Sequence, residues 1–156
     1  MRKSILFVCT GNICRSPMAE FIMKHLANHA GMKDELTISS AATSSWEVGE
    51  PIHPGTRRVL KKNNIPFDPQ KRARQITPQD YQAYDHILVM DEYNLNSMPR
   101  SPKIEKLSRY GPPGIPGDIP DPYYTGNFDE VYEYIFASCV GFLKALEKHP
   151  KDGGDQ

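Results

Sequence analysis

The chain has 156 residues, equal numbers of acidic and basic side chains and a formal net charge of zero. That length suits one domain with a core of its own, expected over residues 1–150, and the balanced charge gives no general support to nucleic-acid or membrane-surface binding. Three cysteines without framework spacing fit a reducing compartment, and the apolar run Ile5–Val8 is too short for a secretory signal, so a cytoplasmic protein is expected.

In chain order, Ser4 to Cys9 is a short apolar run rich in strand formers, as a strand buried on both faces requires. A helix is predicted next, with Ser16 as N-cap and Pro17 at its first position. Ala19, Ile22, Met23, Leu26, Ala27 and Ala30 form its inward stripe, and Gly31 ends it. His25 and His29 fall off that stripe and read as a solvated face rather than a metal pair. Leu36 to Ser40 is a weaker strand, Pro54 to Asn64 a helix, His86 to Met90 a central strand, Asp91 to Met98 a short helix and Lys103 to Leu107 a further strand. The basic run Lys61 to Arg74 reads as a solvated face. Residues 111 to 126 hold five prolines and four glycines, so no regular structure is expected there. Asn127 and Glu130 have capping-box spacing at the start of a last helix. Its apolar face is Phe128, Val131, Ile135, Cys139, Phe142, Leu143 and Leu146, and the tail 151–156 is expected to fray. Strands alternating with helices predict an α/β fold, doubly wound around a mainly parallel sheet.

The chemistry concentrates in "VCTGNICRSP", residues 8 to 17. Strand, glycine-containing loop and helix N-terminus together build an anion site, because backbone N–H groups point inward and the helix dipole adds positive potential. That field favours a thiolate on Cys9. Arg15 has a planar fork suited to two phosphate oxygens, Ser16 has a hydroxyl to offer the sulfur, and Gly11 and Asn12 tolerate a left-handed backbone. This set suits in-line attack of sulfur on phosphorus. A leaving group then needs a proton, and the proline-rich loop offers Asp118 and Asp121, of which Asp121, between two prolines, is the better placed.

"VCTGNICRSPMAE" and "DPYYTGNFDEVY", with "SSAATSSWEVGEPIHPGT" and "YDHILVMDEYN" between them, resemble the low-molecular-weight protein tyrosine phosphatases over nearly the whole chain. The resemblance implies a four-stranded flavodoxin-like sheet, Cys9 as nucleophile, Arg15 as phosphate clamp and Asp121 as general acid, then base. It places Thr10, Gly11, Asn12, Ile13 and Cys14 in the phosphate loop, with Asn12, Ser16 and Ser40 bracing it. Trp46, Tyr123 and Tyr124 match the aromatic rim, and Cys14 matches a second cysteine that protects the oxidised nucleophile by a reversible disulfide. No metal or cofactor is implied. The expected partners are phosphotyrosine proteins or peptides, with phosphate as product, and the chain is expected to be a monomer or weak dimer.

Two positions depart from the family pattern. Many relatives have a larger aliphatic residue where Thr10 stands, and members with a bracing histidine before "ARQ" have it at the position of Lys71. A protein-arginine phosphatase on the same fold shares Thr10, but has threonine at the position of Ile13 and lacks the tyrosines of "DPYY". Arsenate reductase needs two further late cysteines where only Cys139 is present, and a mere phosphate-binding module has no use for both a thiolate and an acid.

Overall fold

The computed structural model describes residues 2–148; the tail expected to fray lies outside them. Strand β1 (Lys3–Cys9) leads through a tight loop into helix α1 (Arg15–His29), and β2 (Leu36–Ala42) follows. Next come α2 (Pro54–Lys62), α3 (Pro78–Ala83), β3 (His86–Val89), α4 (Glu92–Asn96) and β4 (Ile104–Lys106), and the chain closes with α5 (Pro122–Thr125) and α6 (Phe128–Lys148).

The four strands form one sheet in the order β2-β1-β3-β4, every neighbouring pair parallel. β1 lies at the centre because its side chains are apolar on both faces. Ile5 and Phe7 enter the larger core with Met18, Ile22, Val131, Ile135 and Phe142 from α1 and α6. Leu6 and Val8 enter the opposite core with Ile87, Val89, Met98 and Ile104. The order reverses between β1 and its two neighbours, so the carboxyl ends of β1 and β3 flank a crevice, the usual ligand position of such sheets.

Several boundaries differ from the expectation for identifiable reasons. α1 begins at Arg15 with Cys14 at its cap position and no side-chain cap. Ser16 lies inside the helix because its hydroxyl and N–H turn toward Cys9 instead. β2 runs two residues beyond Ser40, since its pairing with β1 continues to Cys9 opposite Ala42. The 111–126 stretch does contain one helical turn: Pro122 opens α5, Asp121 caps it by accepting from the Tyr123 N–H, and Gly126 closes it at φ 78°. At the start of α6 the Asn127 N–H donates to the Thr125 hydroxyl. α3, a segment to which no element was assigned from sequence, is built on Asp80, whose carboxylate accepts from both the N–H and the hydroxyl of Thr77.

Candidate active site

Everything at the crevice is arranged around the end of β1. Cys9 is buried, and the loop after it turns because Asn12 adopts φ 60°, a left-handed conformation that asparagine tolerates better than most residues. Gly11 does not use a positive φ; its missing side chain makes room, because a Cβ there would lie 3.2 Å from Glu47 Cγ. The turn brings the Asn12 N–H to 3.3 Å and the Ser16 N–H to 3.4 Å from Cys9 Sγ, with Ser16 Oγ at 3.1 Å. Backbone donors at the opening of a helix suit an anionic sulfur and the oxyanion it would attack.

The loop is held by side chains that converge on Asn12. Its Nδ2 donates to Ser16 Oγ at 2.8 Å and to Ser40 Oγ at 3.0 Å. Its Oδ1 accepts from Lys71 Nζ at 3.0 Å and from the Arg74 N–H at 3.1 Å. Lys71, which stands where the resemblance implies a histidine in some members, therefore makes a bracing bond of its own. Burial holds its ammonium below the usual lysine range. The Ser40 hydroxyl donates to Glu20 Oε1 at 2.5 Å, and Glu20 pairs with Lys24 at 2.7 Å, so Glu20 belongs to the same network beyond its place near the helix start.

Arg15 is almost wholly enclosed, at 1% exposure. Its Nη1 donates to Asp91 Oδ2 and to the Ile119 carbonyl, both at 2.8 Å, and Nη2 lies 3.4 Å from Asp121 Oδ2. Burial opposes its charge, but Cys9, Asp121 and Asp91 outweigh burial and keep the guanidinium above its ordinary value. Its Nε is buried and has no partner among the described residues. An orphaned donor beside Cys9 is what a bound oxyanion would satisfy.

Asp121 faces the cleft from the cap of α5. The other candidate, Asp118, is turned away: it accepts from the Glu92 N–H and pairs with Lys106 on the surface. The cleft above Cys9 is walled by Thr10, Ile13 and Asp121, and its mouth by Trp46, Glu47, Tyr123 and Tyr124. Trp46 is 69% exposed and Tyr124 76%, so neither ring is a core residue. Cys14 also lines the cleft, and burial, with Cys9 and Asp121 nearby, pushes its thiol well above the ordinary cysteine value. Cys139 lies at 0% exposure on α6 among the core residues, which leaves no third thiol for a disulfide relay. His25 and His29 pack edge to face on α1, and among the described residues no three potential ligands converge on a metal position.

Two contributors escaped the sequence reading. Glu47 stands at the mouth. Asn94, at 0% exposure, donates to Thr10 Oγ1 at 3.1 Å while its own N–H binds Asp91. The pairing of Asn94 with Thr10 joins residues 84 positions apart and left no trace in local pattern.

The low molecular weight phosphotyrosine protein phosphatase family matches this chain over residues 4–152. The chain is 40% identical to the low molecular weight protein-tyrosine-phosphatase YfkJ of Bacillus subtilis, over 93% of this chain and 96% of that one. It is 38% identical to the phosphatase PtpA of Staphylococcus aureus, over 92% and 94%. The crystal structure of Bacillus subtilis YfkJ superimposes with a TM-score of 0.92, at 39% identity over 97% of this chain and 98% of that one. A Drosophila arginine phosphatase superimposes with a TM-score of 0.82, at 34% identity over 94% and 98%. With this extent of likeness in sequence and in fold, the chain belongs to the low molecular weight phosphotyrosine protein phosphatase family.

Proposed function

We propose that the protein hydrolyses phosphotyrosine in proteins or peptides through a phosphocysteine intermediate. The observation that carries this reading is that Cys9 and Asp121 line one cleft, with the buried Arg15 guanidinium 3.4 Å from Asp121. In the first step Cys9 Sγ attacks phosphorus, the S–P bond forms, and the ester P–O bond breaks. Asp121 gives its proton to the departing phenolic oxygen. Arg15 and the N–H groups of Asn12 and Ser16 hold the phosphoryl oxygens as their charge redistributes. In the second step Asp121 takes a proton from water, the water oxygen attacks phosphorus, and the S–P bond breaks to give phosphate and the Cys9 thiolate. No metal ion enters either step.

Trp46, Tyr123 and Tyr124 supply the rim for the substrate's ring. If Cys9 is oxidised to a sulfenic acid, the Cys14 thiol condenses with it, releasing water and leaving a disulfide that a cellular thiol reopens. Three free cysteines suit action in the cytoplasm. Among the described residues no helix is long and apolar enough to cross a membrane.

A phosphoarginine reading has Thr10 and the Drosophila likeness behind it. Ile13 on the wall and two tyrosines at the mouth favour the flat ring instead. Wild type, Cys9→Ser and Asp121→Ala, assayed side by side on phosphotyrosine and phosphoarginine peptides in chelator, decide between them. Turnover of phosphotyrosine by wild type, none by Cys9→Ser and a loss of roughly a hundredfold in Asp121→Ala are expected. Preference for phosphoarginine would overturn the substrate assignment, and peptide binding without cleavage would overturn the catalytic one.

A further inference from the structure

Thr10 is the one hydroxyl-bearing residue on the inner wall of the cleft, and Asn94 holds that hydroxyl from behind. We propose that Asn94 is a specificity-determining positioning residue: it turns the Thr10 hydroxyl out of the cleft, so that the substrate's ring meets an apolar wall. The inference rests on the phosphotyrosine reading above and adds to it a reason for ring selectivity.

The Thr10 backbone is fixed from two sides. Its carbonyl accepts from the Ser44 N–H at 3.1 Å and from the Ser44 hydroxyl at 2.8 Å, and the preceding Cys9 carbonyl accepts from the Thr43 N–H at 2.9 Å. Only the side-chain torsion remains free, and a β-branched side chain has few wells to choose from. Asn94 selects the well. Its Oδ1 accepts from the Met90 N–H at 3.3 Å, and a backbone N–H can only donate. The amide is thereby fixed with Nδ2 toward Thr10 Oγ1. Asn94 is fully buried in α4 and is not part of the cleft lining, so this bond draws the hydroxyl away from the substrate. What remains for the ring is carbon, as a larger aliphatic residue would provide.

The same residue is tied to the phosphate clamp. The Asn94 N–H donates to Asp91 Oδ1 at 2.8 Å, while Asp91 Oδ2 holds Arg15. α4 therefore sets the polarity of the wall and the position of the clamp together. A hydroxyl released into the cleft would face an aromatic ring without a partner, at a cost. It would also offer an oxygen to the N–H groups of a guanidinium, which shifts selectivity toward phosphoarginine.

The test is a double-mutant cycle of Asn94→Ala and Thr10→Val, with KM and kcat measured on phosphotyrosine and phosphoarginine peptides. Asn94→Ala keeps the backbone N–H on Asp91, so the clamp's partner stays held. Thr10→Val alters the wall directly, and its KM on phosphotyrosine is expected to rise less than that of Asn94→Ala. Asn94→Ala is expected to raise KM for phosphotyrosine about fivefold or more, with kcat little changed, and to raise the relative rate on phosphoarginine. Adding Thr10→Val to it should bring KM back to within about twofold of the Thr10→Val value, since no hydroxyl is left to misplace. If Asn94→Ala does not fold, Asn94→Leu, which keeps the volume and can neither donate to nor accept from the Thr10 hydroxyl, enters the same cycle. A loss in Thr10→Val equal to that in Asn94→Ala would mean that the hydroxyl itself binds substrate and would overturn the proposal. So would a double variant no better than Asn94→Ala beside an active wild type. A wild type inactive on phosphotyrosine would sink the proposed function and this inference with it.

Discussion

At Asn12 one side chain satisfies four neighbours and one backbone angle fixes where the loop's donors point. Both the carbonyl and the amino end of its amide are doubly engaged, through Ser16, Ser40, Lys71 and Arg74, and its φ of 60° aims its own N–H at Cys9. The two contributions separate by substitution. Asn12→Gly tolerates the angle and loses the amide, whose removal leaves several buried groups short of a partner, at about 1–3 kcal/mol each if unrelieved. Asn12→Ala loses the amide too and adds about 1–2 kcal/mol for a left-handed backbone with a Cβ. Urea unfolding should therefore rank wild type above Asn12→Gly and Asn12→Ala lowest; equal stability of the two variants would show that the loop relaxes out of that angle. Asn12, Cys9, Arg15 and Asp121 were legible in the sequence because few residue types can do what each does. Asn94 was not, since asparagine has many uses and its partner lies 84 positions away.

Short elements, more than long ones, carry the site's supports. β1, α1 and α6 were readable because each has an apolar pattern with a period. α3 and α5 have none to speak of; each is little more than a turn fixed by an aspartate, and capping bonds do not show in hydrophobic periodicity. α3 nevertheless reaches the phosphate loop. Asp80 holds the Arg74 guanidinium at 2.9 and 3.2 Å, and the Arg74 backbone donates to Asn12 and accepts from Ala42. Burial alone would raise the Asp80 carboxyl, but Arg74 and Thr77 outweigh it and hold it below the usual 3.8. A carboxylate with a lowered folded-state value contributes stability above its unfolded value, and that contribution disappears as pH falls through the folded one. Asp80→Ala should thus cost about 2 kcal/mol at neutral pH and visibly less near pH 3, measured by urea unfolding at both. It should also raise KM, because the segment that braces Asn12 loses its anchor. A cost independent of pH would mean that Asp80 acts without its charge.

Taken whole, the fold makes the phosphate loop a junction. The loop joins β1 to α1, Ser40 and Ala41 reach it or Ser16 from β2, Asp91 and Asn94 from α4 and its cap, and Ile119 and Asp121 from the long connection before α6. The parallel order that creates this junction was expected from alternating strands and helices, as were the short helix after β3 and a proline-stiffened loop presenting Asp121; the helical turn α5 within that loop was not, since proline-rich sequence conceals how its turns pack. An anion bound at the junction touches groups from several elements and stabilises the folded state by mass action. Inorganic phosphate, the product of the proposed reaction, at a hundredfold excess over its Kd should add about 2.7 kcal/mol, or roughly 5–10 °C in the melting midpoint of a chain this size. Sodium chloride at matched ionic strength should not do so. Arg15→Ala should abolish the shift by removing the buried clamp and its orphaned Nε. Asp121→Ala should preserve or enlarge it, because the carboxylate proposed to supply a proton in catalysis only repels a free phosphate dianion. A shift that survives Arg15→Ala would place the anion elsewhere, with the arginines and lysines of α2 next to be tested.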